Sequence, residues 1–390
     1  MPDSGAAIIE DCVAALSTEP DRWAGDPGPA FLAAAVLELG SARQKARAVT
    51  ALEHWLRGLA QVEGAALFGG LGGYVAALAV AVDAYEPLRP LASRLGDRLA
   101  AFGDRRPWRT DNLTFADYDL AIGPSGSLVA LHMAGAAPEL LEPFVEHVAA
   151  LCLSPGLASF KVTGYAADSV LGWCHGRINT SLAHGVAGVA GALALVRETS
   201  GRTGLIDRAL DSVVTFLLSQ HFRDSTGLPT WPRADRSRDE RPSATTPDMR
   251  QSWCYGSPGI AWSLWEAARV TGDSRAQAVA LRAFTEFCTR FDERTYLLGP
   301  SLGDDMGVCH GAAGLCGIAD AFYRHAGLPE ARELRDRLLP QLAAGVSDLL
   351  GPAATEPGAT LLNGAAGPLL VRLTAEGLIS RSWMVCIGLR

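Results

Sequence analysis

The chain has 390 residues, 48% hydrophobic and 19% charged, which is enough apolar material for a large buried core. A net charge of −8 and a pI near 5.5, with no long Lys/Arg run, argue against binding to nucleic-acid backbone. The eight cysteines show no framework spacing or C-x-x-C and the first residues show no signal peptide, so they read as reduced thiols or metal ligands of a cytoplasmic protein.

Taken in chain order, helical patterns come first at 7–16, 30–39 and 42–59. The most apolar run, 65–82, holds four glycines between Glu63 and Asp83. It is about the minimum length for a membrane span, but a buried helix of a helical repeat explains it better. From here a G-x-x-G recurs, at Gly70/Gly73, Gly123/Gly126, Gly185/Gly188, Gly256/Gly259, Gly311/Gly314 and Gly364/Gly367. After each pair comes an Ala-rich apolar stretch of helical length, such as 186–196 or 312–321, usually followed by an amphipathic one, such as 273–287 or 329–338. The first kind should be buried nearly all round, and the second should have one core face and one wet face. Two polar stretches interrupt the pattern. Residues 154–180 hold candidate short strands, and 222–249 is charged, proline-bearing and expected to line or gate a substrate mouth.

The expected fold is all-α, an α/α toroid of about seven helical hairpins whose inner helices begin at the G-x-x-G pairs. One domain should span 1–390, with repeats over 70–377. The N-terminal helices (7–60) and the apolar tail (378–390) would close the ring, whereas a linear solenoid would need polar caps. In a ring, every inner helix would turn its unpaired N–H groups and positive dipole end to the same mouth, which favours anions, a thiolate included. At Gly70/73 and Gly364/367 no chemistry accompanies the glycines, and a packing role is expected there.

The frame sorts residues by position. Just before its glycines stand Tyr118 and Asp119 in the second repeat, His184 in the third, Cys254 and Tyr255 in the fourth, and Cys309 and His310 in the fifth. Two cysteines and a histidine offer zinc three protein ligands with a fourth position open, which is a catalytic rather than a structural coordination. The bland alternative is two buried cysteines and a hydrogen-bonded histidine. Cys174-His175-Gly176 mimics Cys309-His310-Gly311 but lacks the trailing Ala-Ala-Gly and the helix, and reads as a decoy. His54, His132, His147, His221 and His325 fall within or at the ends of helical patterns and read as surface or packing residues.

Three stretches together resemble the lanthionine synthetase C (LanC-like) family over roughly residues 60–375. They are Asn179…His184-Gly185-Val186-Ala187-Gly188, Arg250…Trp253-Cys254-Tyr255-Gly256-Ser257-Pro258-Gly259, and Cys309-His310-Gly311-Ala312-Ala313-Gly314. The resemblance implies an α/α toroid that closes thioether rings in lantibiotic precursor peptides. It implies that Cys254, Cys309 and His310 bind Zn2+, with His184, Arg250, Asp119 and Tyr255 as catalytic residues around it. A β-rich insertion known in one member is not visible in this sequence.

The implied reaction is Michael-type addition of a peptide Cys thiol to dehydroalanine or dehydrobutyrine. His184 would protonate Cα of the enolate, Arg250 would steady the enolate oxygen, Asp119 would orient or charge His184, and Tyr255 would be a supporting donor. Implied partners are the dehydrated precursor peptide and, in a biosynthetic complex, a dehydratase and a transporter. Such a complex could hold the chain at the membrane periphery. Three rivals stay open. One is an enzyme that adds glutathione or another small thiol to dehydrated residues. Another is a non-catalytic peptide-binding scaffold stapled by zinc. The third, an α/α-toroid glycosidase, needs two opposed carboxylates where the motif positions offer only Asp119.

Overall fold

Glycine sets where the buried helices of this chain begin. The structure, a computed structural model, describes residues 2–18, 23–105, 107–236, 250–297, 299–351 and 358–390. Its helices are α1 (Pro2–Ala15), α2 (Gly28–Leu39), α3 (Ala42–Arg57), α4 (Leu71–Ala84), α5 (Arg89–Arg105), α6 (Pro124–Met133), α7 (Pro138–Cys152) and α8 (Val186–Val196). They continue with α9 (Thr203–Gln220), α10 (Ser257–Thr271), α11 (Ser274–Arg290), the short α12 (Glu293–Tyr296) and α13 (Leu302–Met306), α14 (Ala312–Ala326), α15 (Pro329–Leu349) and α16 (Ala366–Ala375). Strand among the described residues is confined to β1 (Phe222–Arg223) and β2 (Pro229–Thr230), paired antiparallel. None of the described helices is long and apolar enough to cross a membrane.

The residues capping α4, α6, α8, α10 and α14 are Gly70, Gly123, Gly185, Gly256 and Gly311. The sixth repeat differs by one residue, since Ala365 rather than Gly364 caps α16. Where the sequence predicts a helix over 65–82, α4 starts only at Leu71. The stretch before it turns back, and Leu71 N–H donates to the carbonyl of Gly64 at 2.9 Å. Burial follows the two kinds of pattern. In α8, Val186, Ala187, Val189, Ala190, Leu193 and Ala194 are all buried. In α9 the buried set is Ile206, Ala209, Leu210, Val213, Val214 and Leu217, a single stripe at helical spacing. The stretch 154–180 is turns and loop around two short 3₁₀ segments, with one isolated bridge from Lys161 to Ile178 and another from Asn179 to Ala234 in place of strands. Of the expected mouth segment 222–249, residues 237–249 lie outside the described residues.

Backbone contacts divide the chain into two units, Met1–Leu99 with Asp292–Arg390, and Ala100–Phe291. In the second unit α6, α8 and α10 pack side by side, and α7, α9 and α11 each pack on the glycine-started helix before them. In the first, α2 packs on α4 and α16, and α14 packs on α15 and α16. The apolar tail forms a 3₁₀ turn, Ser382–Ile387, against α4, with Trp383 6.2 Å from Phe31 between ring centroids.

One backbone arrangement repeats at the helix starts. The N–H of the second glycine bonds the carbonyl seven residues earlier, from Gly126 to Asp119 (3.2 Å), Gly188 to Ser181 (3.3 Å), Gly259 to Ser252 (3.3 Å) and Gly314 to Gly307 (3.4 Å). The loop is therefore folded back under the first helical turn. The carbonyl six residues back then lies where a side chain would stand: a Cβ on Gly188 would be 2.0 Å from the Leu182 oxygen, and one on Gly259 2.0 Å from that of Trp253. Gly256 adds a backbone requirement of its own, since its φ of 80° suits glycine alone among ordinary residues. Substituting Gly188→Ala is expected to lower stability by about 3 kcal/mol, because the backbone oxygen cannot move away without breaking the loop. Gly96→Ala, at a site in α5 where a Cβ meets nothing within 4 Å, should instead raise it by about 0.5–1 kcal/mol. Urea midpoints at constant m-value check both.

Candidate active site

The folded-back loops hydrogen-bond to one another in a fixed register. Leu120 and Ala121 N–H both donate to the Ala183 carbonyl at 3.2 Å, and Leu182 N–H donates to that of Cys254 at 3.0 Å. Val308 and Cys309 N–H donate to that of Leu362 at 2.7 and 3.1 Å. In each case the acceptor lies two residues before its first glycine, the position of Cys254 and Cys309 themselves. One residue nearer the glycine stand His184, Tyr255 and His310. The register thus carries chemically distinct side chains on one repeated backbone.

Asp119 reaches the site by a different route. It lies four residues before Gly123, where the later frames have Ser181 and Ser252. It is fully buried, and its Oδ1 accepts the N–H groups of Ile122 (2.7 Å) and Gly123 (2.8 Å). Its Oδ2 lies 2.6 Å from His184 Nδ1. Burial pushes the Asp119 carboxyl up from its ordinary range, and the hydrogen bond from His184 opposes that shift. The imidazole is stacked on Phe115, with centroids 5.0 Å apart at 21°, and is about one-third exposed. Tyr118 O–H donates to the His184 carbonyl at 3.0 Å, and Ser181 Oγ accepts the His184 N–H at 3.1 Å. The carboxylate takes the Nδ1 side of the ring, which fixes its tautomer.

The Cys254 loop is held by residues that its sequence motif did not single out. Gln251 accepts Ser257 N–H at 2.7 Å and donates to Thr230 Oγ1 at 3.0 Å, and Ser252 N–H bonds the Tyr255 carbonyl at 2.8 Å. Cys254 is buried, while Arg250 and Tyr255 are half-buried. The Arg233 guanidinium lies 4.5 Å from the Trp173 ring centroid and 5.2 Å from that of Tyr255, a cation over two aromatic faces beside Cys254. On the Cys309 loop, His310 Nδ1 lies 2.8 Å from Asp304 Oδ1. Asp304 sits in α13, which Ser301 caps. Neither Asp304 nor Arg233 has a signal in the G-x-x-G frame. Only an acidic residue six positions before a histidine hinted at the first.

The thiols of Cys254 and Cys309 and a ring nitrogen of His310 lie within 4.8 Å of one another. Two soft sulfur donors and an imidazole, the latter backed by a carboxylate, suit zinc by donor type. Cys174 and His175 do not join such a group among the described residues. The Cys174 thiol donates to the Leu171 carbonyl at 2.9 Å, and burial raises its pKa, which keeps the proton on.

The profile of the lanthionine synthetase C-like protein family matches residues 17–379. The chain belongs to that family. Among solved structures, the chain is similar to that of a nisin cyclase, with a TM-score of 0.80 and 18% identity, covering 99% of this chain and 98% of that one. The likeness shows the fold, all-α and an α/α toroid, as expected from the sequence. No curated protein sequence matches the chain.

The Asp119–His184 geometry of this LanC-like chain has a checkable consequence. In Asp119→Asn the two backbone donors should keep the amide oxygen, which turns the NH2 toward His184. Nδ1 then becomes an acceptor and the ring proton moves to Nε2. The 15N shifts of a histidine-labelled sample should report Nδ1–H in the wild type and Nε2–H in the variant. Identical tautomers in both would contradict the contact.

Proposed function

We propose that this chain is a zinc-dependent lanthipeptide cyclase, which joins peptide Cys thiols to dehydroalanine or dehydrobutyrine as thioether rings. The observation that carries the reading is the meeting of Cys254, Cys309 and His310 in a chain of the lanthionine synthetase C-like family. A solved structure with the same fold is that of a nisin cyclase, which points to a peptide as the substrate. Zinc held by those three residues would leave one position open and, when bound, would lower the pKa of a substrate thiol, about 8.5 when free.

The chain's own residues supply the rest. Asp304 takes the Nδ1 side of His310, so that Nε2 is its donor atom. In the addition, a carbon–sulfur bond forms at the alkene β-carbon, the C=C π bond breaks, and the electron pair moves to Cα and its carbonyl. His184, held through Nδ1 by Asp119, delivers a proton to Cα from Nε2. Arg250 steadies the developing enolate oxygen, with Tyr255 as a supporting donor. The proton lost by the thiol is balanced by the one gained at Cα, and no redox partner is needed. A dehydratase that makes the alkene and a transporter that exports the product are the natural partners of such a cyclase.

Purified protein is expected to hold one zinc per chain, with most of it lost in Cys254→Ala, Cys309→Ala and His310→Ala while helicity persists. Asp304→Ala should lower zinc affinity by about 10–100-fold. His184→Asn should keep full zinc yet close rings more slowly by roughly 10²–10⁴-fold. Zinc analysis and single-turnover kinetics on a dehydrated peptide check these outcomes. Loss of zinc in the His184 variant, or normal ring closure by it, would overturn the role given to His184. Full zinc in Cys309→Ala would move the metal elsewhere.

A further inference from the structure

The residue directly before the first glycine of a frame is Ile122 in the second repeat, His184 in the third and Tyr255 in the fourth. All three lie in the unit Ala100–Phe291, and one hydrogen bond fixes the backbone of each. The side-chain oxygen three residues earlier accepts the N–H, from Ile122 to Asp119 Oδ1 (2.7 Å), from His184 to Ser181 Oγ (3.1 Å) and from Tyr255 to Ser252 Oγ (3.1 Å). Accessibility repeats as well. In each loop the two residues before this position and the glycine after it are buried, while this residue is open to solvent. The glycines after Ile122 and His184 also share a conformation, with φ −105° and −128° and ψ −174° and −175°. The side chains therefore leave equivalent loops from equivalent places.

Ile122 is the one that differs in chemistry. It is apolar and 40% exposed, where the next two repeats carry an imidazole and a phenol. A lone exposed isoleucine is ordinary on a protein surface, but this one stands beside His184. Asp119 takes the Ile122 N–H on Oδ1 and faces His184 Nδ1 with Oδ2 at 2.6 Å, so one carboxylate group separates that amide from the imidazole. The two loops run side by side, because Leu120 and Ala121 both donate to the Ala183 carbonyl.

We propose that Ile122 is a specificity-determining residue whose side chain packs against the β-methyl group of a dehydrobutyrine held beside His184. This deepens the cyclase reading above and rests on it. The imidazole assigned to protonate Cα must lie close to that carbon, and the methyl that distinguishes dehydrobutyrine from dehydroalanine stands two bonds from it. An accessible apolar side chain at the neighbouring frame position is the surface that such a methyl can cover. The contact moves no proton and touches no metal ligand.

The test uses full-length, zinc-loaded protein and two synthetic peptides with one cysteine each, identical except for dehydroalanine or dehydrobutyrine as the alkene. Dehydrobutyrine is the weaker electrophile, so the quantity read is the ratio of its kcat/KM to that of dehydroalanine. The change of this ratio between wild type and variant cancels the intrinsic reactivity. Ile122→Ala should lower the ratio by about fourfold, the value of one methyl group left in water. Ile122→Val should keep most of the preference and its polar isostere Ile122→Thr should lose it, a comparison that stands even where Ile122→Ala folds poorly. Zinc content should be the same in all four proteins. A wild-type ratio in both Ile122→Ala and Ile122→Thr would overturn the assignment. So would a loss shared equally by the two peptides, which would make Ile122 a structural residue. Either failure leaves the cyclase reading standing if the wild type closes rings. Absence of ring closure with both peptides in the zinc-loaded wild type removes the cyclase reading and this proposal together.

Discussion

The contact between the second glycine of a frame and the carbonyl six residues before it, seen at Gly73, Gly188, Gly259 and Gly367, is the constraint on which the rest depends. No side chain can stand at Gly188 or Gly259, because a backbone oxygen already lies 2.0 Å from where its first carbon would be. That closeness pins the loop under the helix start, and the N–H bond from the same glycine to the carbonyl seven residues back locks it. Once the loop is pinned, the residues one and two places before the first glycine have little freedom. Those are the places that hold His184, Tyr255 and His310, and Cys254 and Cys309. The glycines therefore do the positioning, and the chemistry is added to a backbone already fixed by sterics.

On that backbone the same local device serves two ends. His184 and His310 occupy equivalent positions, and each has its Nδ1 against an aspartate, Asp119 at 2.6 Å and Asp304 at 2.8 Å. The carboxylates come from unrelated places. Asp119 belongs to the preceding repeat and is fully buried, whereas Asp304 comes from a short helix just upstream and is partly exposed. What differs is the company. His310 has two thiols within 4.8 Å and suits a metal, while His184 is stacked on Phe115 and suits proton transfer. A carboxylate-backed imidazole suits both tasks because the carboxylate fixes the ring's tautomer and orientation.

The frame itself was legible in the sequence because glycine has few substitutes where backbones touch. The alternation of all-apolar and one-faced helices was legible too, since 3.6-residue periodicity survives in α9 and its absence is plain in α8. The helix starts were less so. The apolar run from 65 looks continuous, and only the return of its first residues under Leu71 shows that they are loop. Asp304, Gln251 and Arg233 were invisible for a related reason: each acts across a loop whose path is set by tertiary hydrogen bonds and carries no periodicity of its own.

Thioether closure is the reaction proposed for this chain, and isotope incorporation measures it most directly. A synthetic peptide with one dehydroalanine and one cysteine, incubated in heavy water with zinc-loaded protein, is followed by mass spectrometry and thiol labelling against a protein-free control. Ring closure at the proposed site predicts loss of one thiol per alkene consumed and one carbon-bound deuterium at Cα, at a rate that depends on the protein. A thiol still free after incubation, or a product heavier by the mass of an added small thiol, would contradict it.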